Sequence, residues 1–131
     1  MNTSVPSATT GMLRTDGAYV HYEVRGDGPP LVLVGCPMDA TAFAPLAELL
    51  AVDYTVITTD PRGINRSTVD DIDADVTPEE LADDLAQLLQ HLDLGPATVV
   101  GSSGGAVTAL ALAQGRDAAA VGRGRPPTLL G

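Results

Sequence analysis

Gly101-Ser102-Ser103-Gly104-Gly105 sets a serine between glycines in the spacing G-x-S-x-G. It lies where an apolar, strand-like run (Ala97 to Val100) meets a helix-like run (Ala106 to Gln114). A strand that turns that sharply into a helix tolerates only small neighbours and lifts the Ser103 hydroxyl clear of the backbone. The free N–H groups and dipole of the following helix favour developing negative charge beside it. The chemistry this suits is attack on an acyl carbon, with Ser103 as nucleophile and the Gly104 amide as one oxyanion donor. The other reading is a tight Gly/Ser turn that packs or binds an anion.

A serine hydroxyl is a poor nucleophile until a base takes its proton. The two histidines, His21 and His91, both precede Ser103, and the single acid after it is Asp117. Both histidines read as ordinary polar residues. The chain is therefore expected to lack the acid and the histidine of a triad, and to be inactive or very weak by itself. A second oxyanion donor would come from Gly35-Cys36-Pro37-Met38. Proline has no N–H, so a one-residue shift gives the role to Met38; a plain tight turn is the alternative. Cys36 has no elbow around it and reads as a buried structural thiol. Asp60, Arg62 and Gly63 follow a strand, at the end where α/β sites form. Their reading is structural, a loop tied down by charge-assisted hydrogen bonds. No dinucleotide fingerprint, phosphate loop or metal-ligand cluster is present, so no cofactor and no metal are expected.

These residues need a frame. Met12 to Arg14 and Ala18 to Val24 alternate around Asp16-Gly17, as in a β-hairpin. Leu31 to Val34 is a continuous apolar run, as in a strand buried on both faces. Phe43 to Val52 has helical spacing, and Tyr54 to Thr59 is β-branched. Thr77-Pro78-Glu79-Glu80 is a capping box with proline at the first helical position. Leu81, Leu85, Leu88, Leu89 and Leu92 then form one stripe, and Gly95-Pro96 marks a stop. The order β-β-β-α-β-α-β-α is that of an α/β sheet.

The 131 residues suffice for one domain with a core. The net charge of −10 disfavours nucleic acid or an anionic membrane as partner. One cysteine permits no internal disulfide. The N-terminus has no apolar signal-peptide region, and no run suits a membrane span, so a cytoplasmic location is expected. Residues 1–9 read as a flexible leader. Residues 1–114 carry 16 acids and four arginines, whereas residues 115–131 carry three arginines and one acid. That tail, 115–131, has no clear period and reads as anomalous.

With the elbow, the strand order and Asp60-Pro61-Arg62-Gly63 in hand, the chain resembles the α/β-hydrolase family, and within it small hydrolases of high-GC bacteria. Four pieces carry the resemblance over residues 11–114: Val34 to Ala40, Thr59 to Ser67, Thr77 to Leu85 and Gly101 to Val107. It implies a mostly parallel sheet with an N-terminal antiparallel hairpin, truncated after the elbow helix. It implies a serine hydrolase acting on an ester or small acyl substrate, with residues 10–114 as the N-terminal portion of its domain. Relatives that open epoxides or haloalkanes carry a carboxylate at the elbow, and Ser103 argues for acyl chemistry instead. Where the resemblance calls for a His-Pro turn and a sixth strand, the tail departs, and a frame disruption between residues 115 and 125 would account for it. The competing reading is a non-catalytic truncated fragment that self-associates through an exposed sheet edge beside the elbow strand.

Overall fold

The computed structural model describes residues 8–115 and 129–130. Strands β1 (Thr9–Thr15) and β2 (Ala18–Arg25) form the expected hairpin, with Gly17 in the turn at φ +86°. β1 begins at Thr9, so the last residue of the expected leader is in the sheet; residues 1–7 lie outside the described residues. There follow β3 (Pro30–Cys36), α1 (Ala40–Leu50), β4 (Thr55–Thr59), β5 (Thr68–Val69) and α2 (Pro78–Leu92). β6 (Thr98–Ser103), α3 (Gly104–Gly115) and β7 (Leu129–Leu130) complete the described chain.

The sheet order is β1-β2-β4-β3-β6-β7, with β5 on β2. The β1–β2, β2–β4 and β2–β5 pairs are antiparallel; β4–β3, β3–β6 and β6–β7 are parallel. Helices cover both faces. Leu31, Leu33 and Val56 cluster with Phe43, Ala47 and Ala51 of the α1 region. Val32, Val34, Ile57 and Val99 cluster with Leu85, Leu88 and Leu89 of α2 and Ala109 and Leu112 of α3. Alternate strand residues thus face opposite helical layers, which is why β3 reads as a continuous apolar run.

Local signals set the helix ends. The Thr77 side chain accepts from the Glu80 N–H at 3.1 Å, and Glu80 accepts from the Thr77 N–H at 3.0 Å. α2 stops at Asp93, in the left-handed region at φ +50°, two residues before the Gly95-Pro96 stop read from sequence. α3 starts at Gly104 rather than Ala106, and β6 runs through Ser103 with no linker between them.

β6 is not a bare edge. Leu129 and Leu130 pair with Val99 and Val100. The expected open edge beside the elbow strand is therefore occupied over those two residues. The frame disruption expected between residues 115 and 125 lies outside the described residues beyond Gly115, the end of α3. Among the described residues no helix is long and apolar enough to cross a membrane.

Candidate active site

β3 and β6 are neighbours, yet their chains leave in opposite directions, β3 to α1 on one face and β6 to α3 on the other. Such a divergence opens a crevice at the carboxyl ends of the strands. Ser103 is the last residue of β6, in register with Cys36, the last of β3. It is exposed and holds φ +56°. A left-handed conformation at a non-glycine residue costs about 1–2 kcal/mol and persists only where its surroundings enforce it.

The glycines supply that enforcement. A Cβ on Gly101 would lie 2.7 Å from the Cα of Ala106, and one on Gly105 would collide with the Val34 carbonyl oxygen. The elbow is folded tightly on itself and seated on β3. A Cβ on Gly104 would lie 2.6 Å from the Cys36 carbonyl oxygen. Cys36 is half-buried at this contact, not the buried thiol its sequence surroundings suggest. Met38 lies on the loop between β3 and α1, after a cis Cys36–Pro37 peptide, and folds back over Gly35. The structure thus brings Ser103, Gly104 and the Cys36–Met38 loop to one end of one strand pair.

It does not bring the histidines there. Three strand spacings separate β2 from β6, about 14 Å. His21 lies on β2 and is engaged by Glu23 at 3.0 Å. His91 lies in the last turn of α2, with its ring 6.2 Å from that of Tyr22.

Asp60 and Arg62 are tied down, by Arg66 and Asp84 respectively, two partners that sequence reasoning missed. Arg62, buried, forms a two-point pair with buried Asp84 of α2, both bonds 2.8 Å, and donates to the Asp16 carbonyl at 2.7 Å. The Asp84 bond raises the guanidinium's proton affinity, against the effect of burial. Asp60 is fully buried and accepts from Ala40 N, Arg66 N, Arg66 Nε and Arg66 Nη2. Burial opposes its ionisation, but these bonds outweigh that and hold its carboxyl below the ordinary range. Arg66 also reaches Glu23 at 3.1 Å, and Glu23 meets Arg25 at 3.0 Å. For Glu23 too burial works against the charge and the His21, Arg25 and Arg66 contacts prevail, lowering its pKa. The missed signals were in the sequence. Asp84 interrupts the buried leucine stripe three residues after Leu81, and His21, Glu23 and Arg25 recur with period two on one face of β2.

A mostly apolar hollow lies on the α2/α3 side, lined by residues that include Val34, Pro61, Leu85 and Thr108 and the Arg62–Asp84 pair; Ser103 is not among them. Among the described residues no cluster of three or more His, Cys, Asp or Glu could hold a metal.

A sequence profile of the alpha/beta hydrolase fold matches residues 29–118. An uncharacterized hydrolase of Bacillus subtilis, YraK, is 44% identical over 103 residues, which is 78% of this chain and 38% of that protein. A solved structure of a putative epoxide hydrolase from Pseudomonas aeruginosa superposes with TM-score 0.74 at 31% identity, covering 86% of this chain and 39% of that one. An N-acyl homoserine lactonase solved with N-butanoyl homoserine superposes with TM-score 0.73 at 26% identity, covering 79% and 39%. The chain therefore spans less than half the length of each of these relatives.

Proposed function

The chain belongs to the α/β-hydrolase family, and from that premise we propose that Ser103 is the nucleophile of an acyl hydrolase acting on an ester or small acyl substrate. One observation carries the reading: Ser103 holds φ +56° between glycines that have no room for a side chain. Strained backbone of this kind clusters at active sites, and here it falls on a hydroxyl at the carboxyl end of two neighbouring parallel strands. In this reading Ser103 Oγ attacks the carbonyl carbon and its proton passes to a histidine outside residues 1–131. The carbonyl oxygen becomes the oxyanion, held by the Gly104 N–H at the start of α3 and by a second N–H. That second donor belongs to the Cys36–Met38 loop, where Cys36 and Met38 have an N–H and Pro37 has none. Met38 retains the role. Collapse of the intermediate expels the alcohol or amine and leaves Ser103 acylated, and water releases the acid.

Epoxide opening fits the same residues less well, although one structural neighbour is a putative epoxide hydrolase. A serine oxygen that opened an epoxide would form an ether, which water does not cleave. A carboxylate would form an ester, which it does.

The test is p-nitrophenyl acetate mixed with the purified chain. Slow, near-stoichiometric release of p-nitrophenolate with an acetyl group on the Ser103 peptide is expected, both lost in Ser103→Ala. Release that is unchanged in Ser103→Ala would sink the reading.

A further inference from the structure

We propose that Asp60 is a positioning residue for the oxyanion loop: gripped by Arg66, its carboxylate fixes the N-terminus of α1, and through it the Gly35–Asp39 loop, against the elbow. The catalytic consequence rests on Ser103 being the nucleophile; the clamp itself does not.

Three stitches join the loop after β4 to the start of α1. Asp60 Oδ1 accepts from the Ala40 N–H at 3.0 Å. Asn65 Nδ2 donates to Asp39 Oδ2 at 3.0 Å. Arg66 Nη2 donates to Thr41 Oγ1 at 3.1 Å. Residues 39, 40 and 41 are thus all held from one side. Asp60 is itself immobilised at every polar atom. Its N–H donates to the His21 carbonyl at 3.0 Å, and its carbonyl accepts from Ser67 Oγ at 2.6 Å. The Arg66 fork closes on its carboxylate at 2.7 and 3.0 Å.

Packing alone does not explain a carboxylate here. A fully buried charge costs several kcal/mol unless paired and hydrogen-bonded, and an apolar residue would fill the space without that cost. Only a carboxylate accepts at once from a helix N-terminal amide and from an arginine fork. The held amide, Ala40, lies four residues beyond Cys36. At its β3 end the loop meets the elbow, where a Cβ on Gly104 would lie 2.6 Å from the Cys36 oxygen; within the loop itself a Cβ on Gly35 would lie 2.5 Å from Met38 Cβ. The donor loop sits between the elbow and the clamp. A donor misplaced by about 1 Å loses much of its effect on a transition state.

The experiment compares the chain with Asp60→Asn and Arg66→Lys. Amide exchange is followed residue by residue, together with phosphonylation by a fluorophosphonate, in which Ser103 Oγ bonds to phosphorus, fluoride leaves and the hydroxyl proton passes to solvent. Loss of one charged hydrogen bond corresponds to roughly ten- to a hundredfold. Ala40 should exchange faster by that factor in both variants, with Val32 and Val99 unchanged. The limiting rate of phosphonylation should fall by a similar factor, with the concentration for half-maximal rate unmoved. Arg66 is partly exposed, so Arg66→Lys keeps the test decisive if Asp60→Asn does not fold. Unchanged exchange at Ala40, equal loosening across β3, β4 and β6, or an effect on half-saturation alone would overturn the proposal. A wild-type chain that never labels at Ser103 would overturn the nucleophile reading instead, and Ala40 exchange would still decide the clamp.

Discussion

At Ser103 the backbone holds a conformation that a serine adopts at a cost, and the glycines around it leave no other path for the chain. A substitution pair separates the strain from the chemistry. Glycine accepts φ +56° freely and alanine does not. Ser103→Gly should therefore be more stable than Ser103→Ala by about 1 kcal/mol in urea unfolding, with both devoid of acylation. Equal stabilities would show that no strain is stored there. This residue was legible from its spacing alone, because close approach of backbone to backbone admits only glycine at fixed offsets. Asp84, Glu23 and Arg66 were not. A charged residue in sequence looks solvated by default, and the Arg62–Asp84 and Glu23–Arg66 pairs join residues 22 and 43 positions apart in the chain. No local pattern encodes such a pairing, although a carboxylate on a leucine stripe is a hint that one exists.

Between elements, one buried ion pair and one buried carboxylate hold the loop after β4 to its neighbours. Arg62–Asp84 ties it to α2, and Asp60 ties it to α1. Removing one partner of a buried pair strands the other charge and costs about 3–5 kcal/mol. Arg62→Met should lose that much by urea unfolding, and Arg62→Met with Asp84→Leu should recover most of it. If the double variant is no more stable than the single, the pair is not desolvated as the structure has it. The elements themselves were largely readable. The capping box fixed the start of α2, and the β-branched runs marked β3 and β4. The two-residue strand β5 was not foreseen, because a ladder of two residues leaves no period to detect. Nor was the left-handed stop at Asp93, since Gly95 two residues on is the stronger signal for such a cap.

For the whole molecule, α3 is apolar on more than one side. Ala109 and Leu112 are buried under the α2/α3 layer, whereas Val107 and Leu110 on the same helix are 54% and 48% exposed. A helix apolar on more than one side is normally covered on more than one side. We expect the chain to self-associate through this face, and Val107→Glu with Leu110→Glu to shift it towards monomer in sedimentation velocity. A wild-type chain that stays monomeric across the accessible concentration range would contradict that.

The account turns on Ser103 being the one activated hydroxyl of this sheet. The measurement that tests it most directly is peptide mapping of the chain after exposure to a fluorophosphonate. Ser102 precedes Ser103 in β6 and Ser67 is buried in the loop after β4, so both are internal controls. The account predicts a single adduct on Ser103, abolished in Ser103→Ala and strongly reduced in Gly105→Ala, whose added methyl would collide with Val34. An adduct shared evenly with Ser102, or none on Ser103, would contradict it.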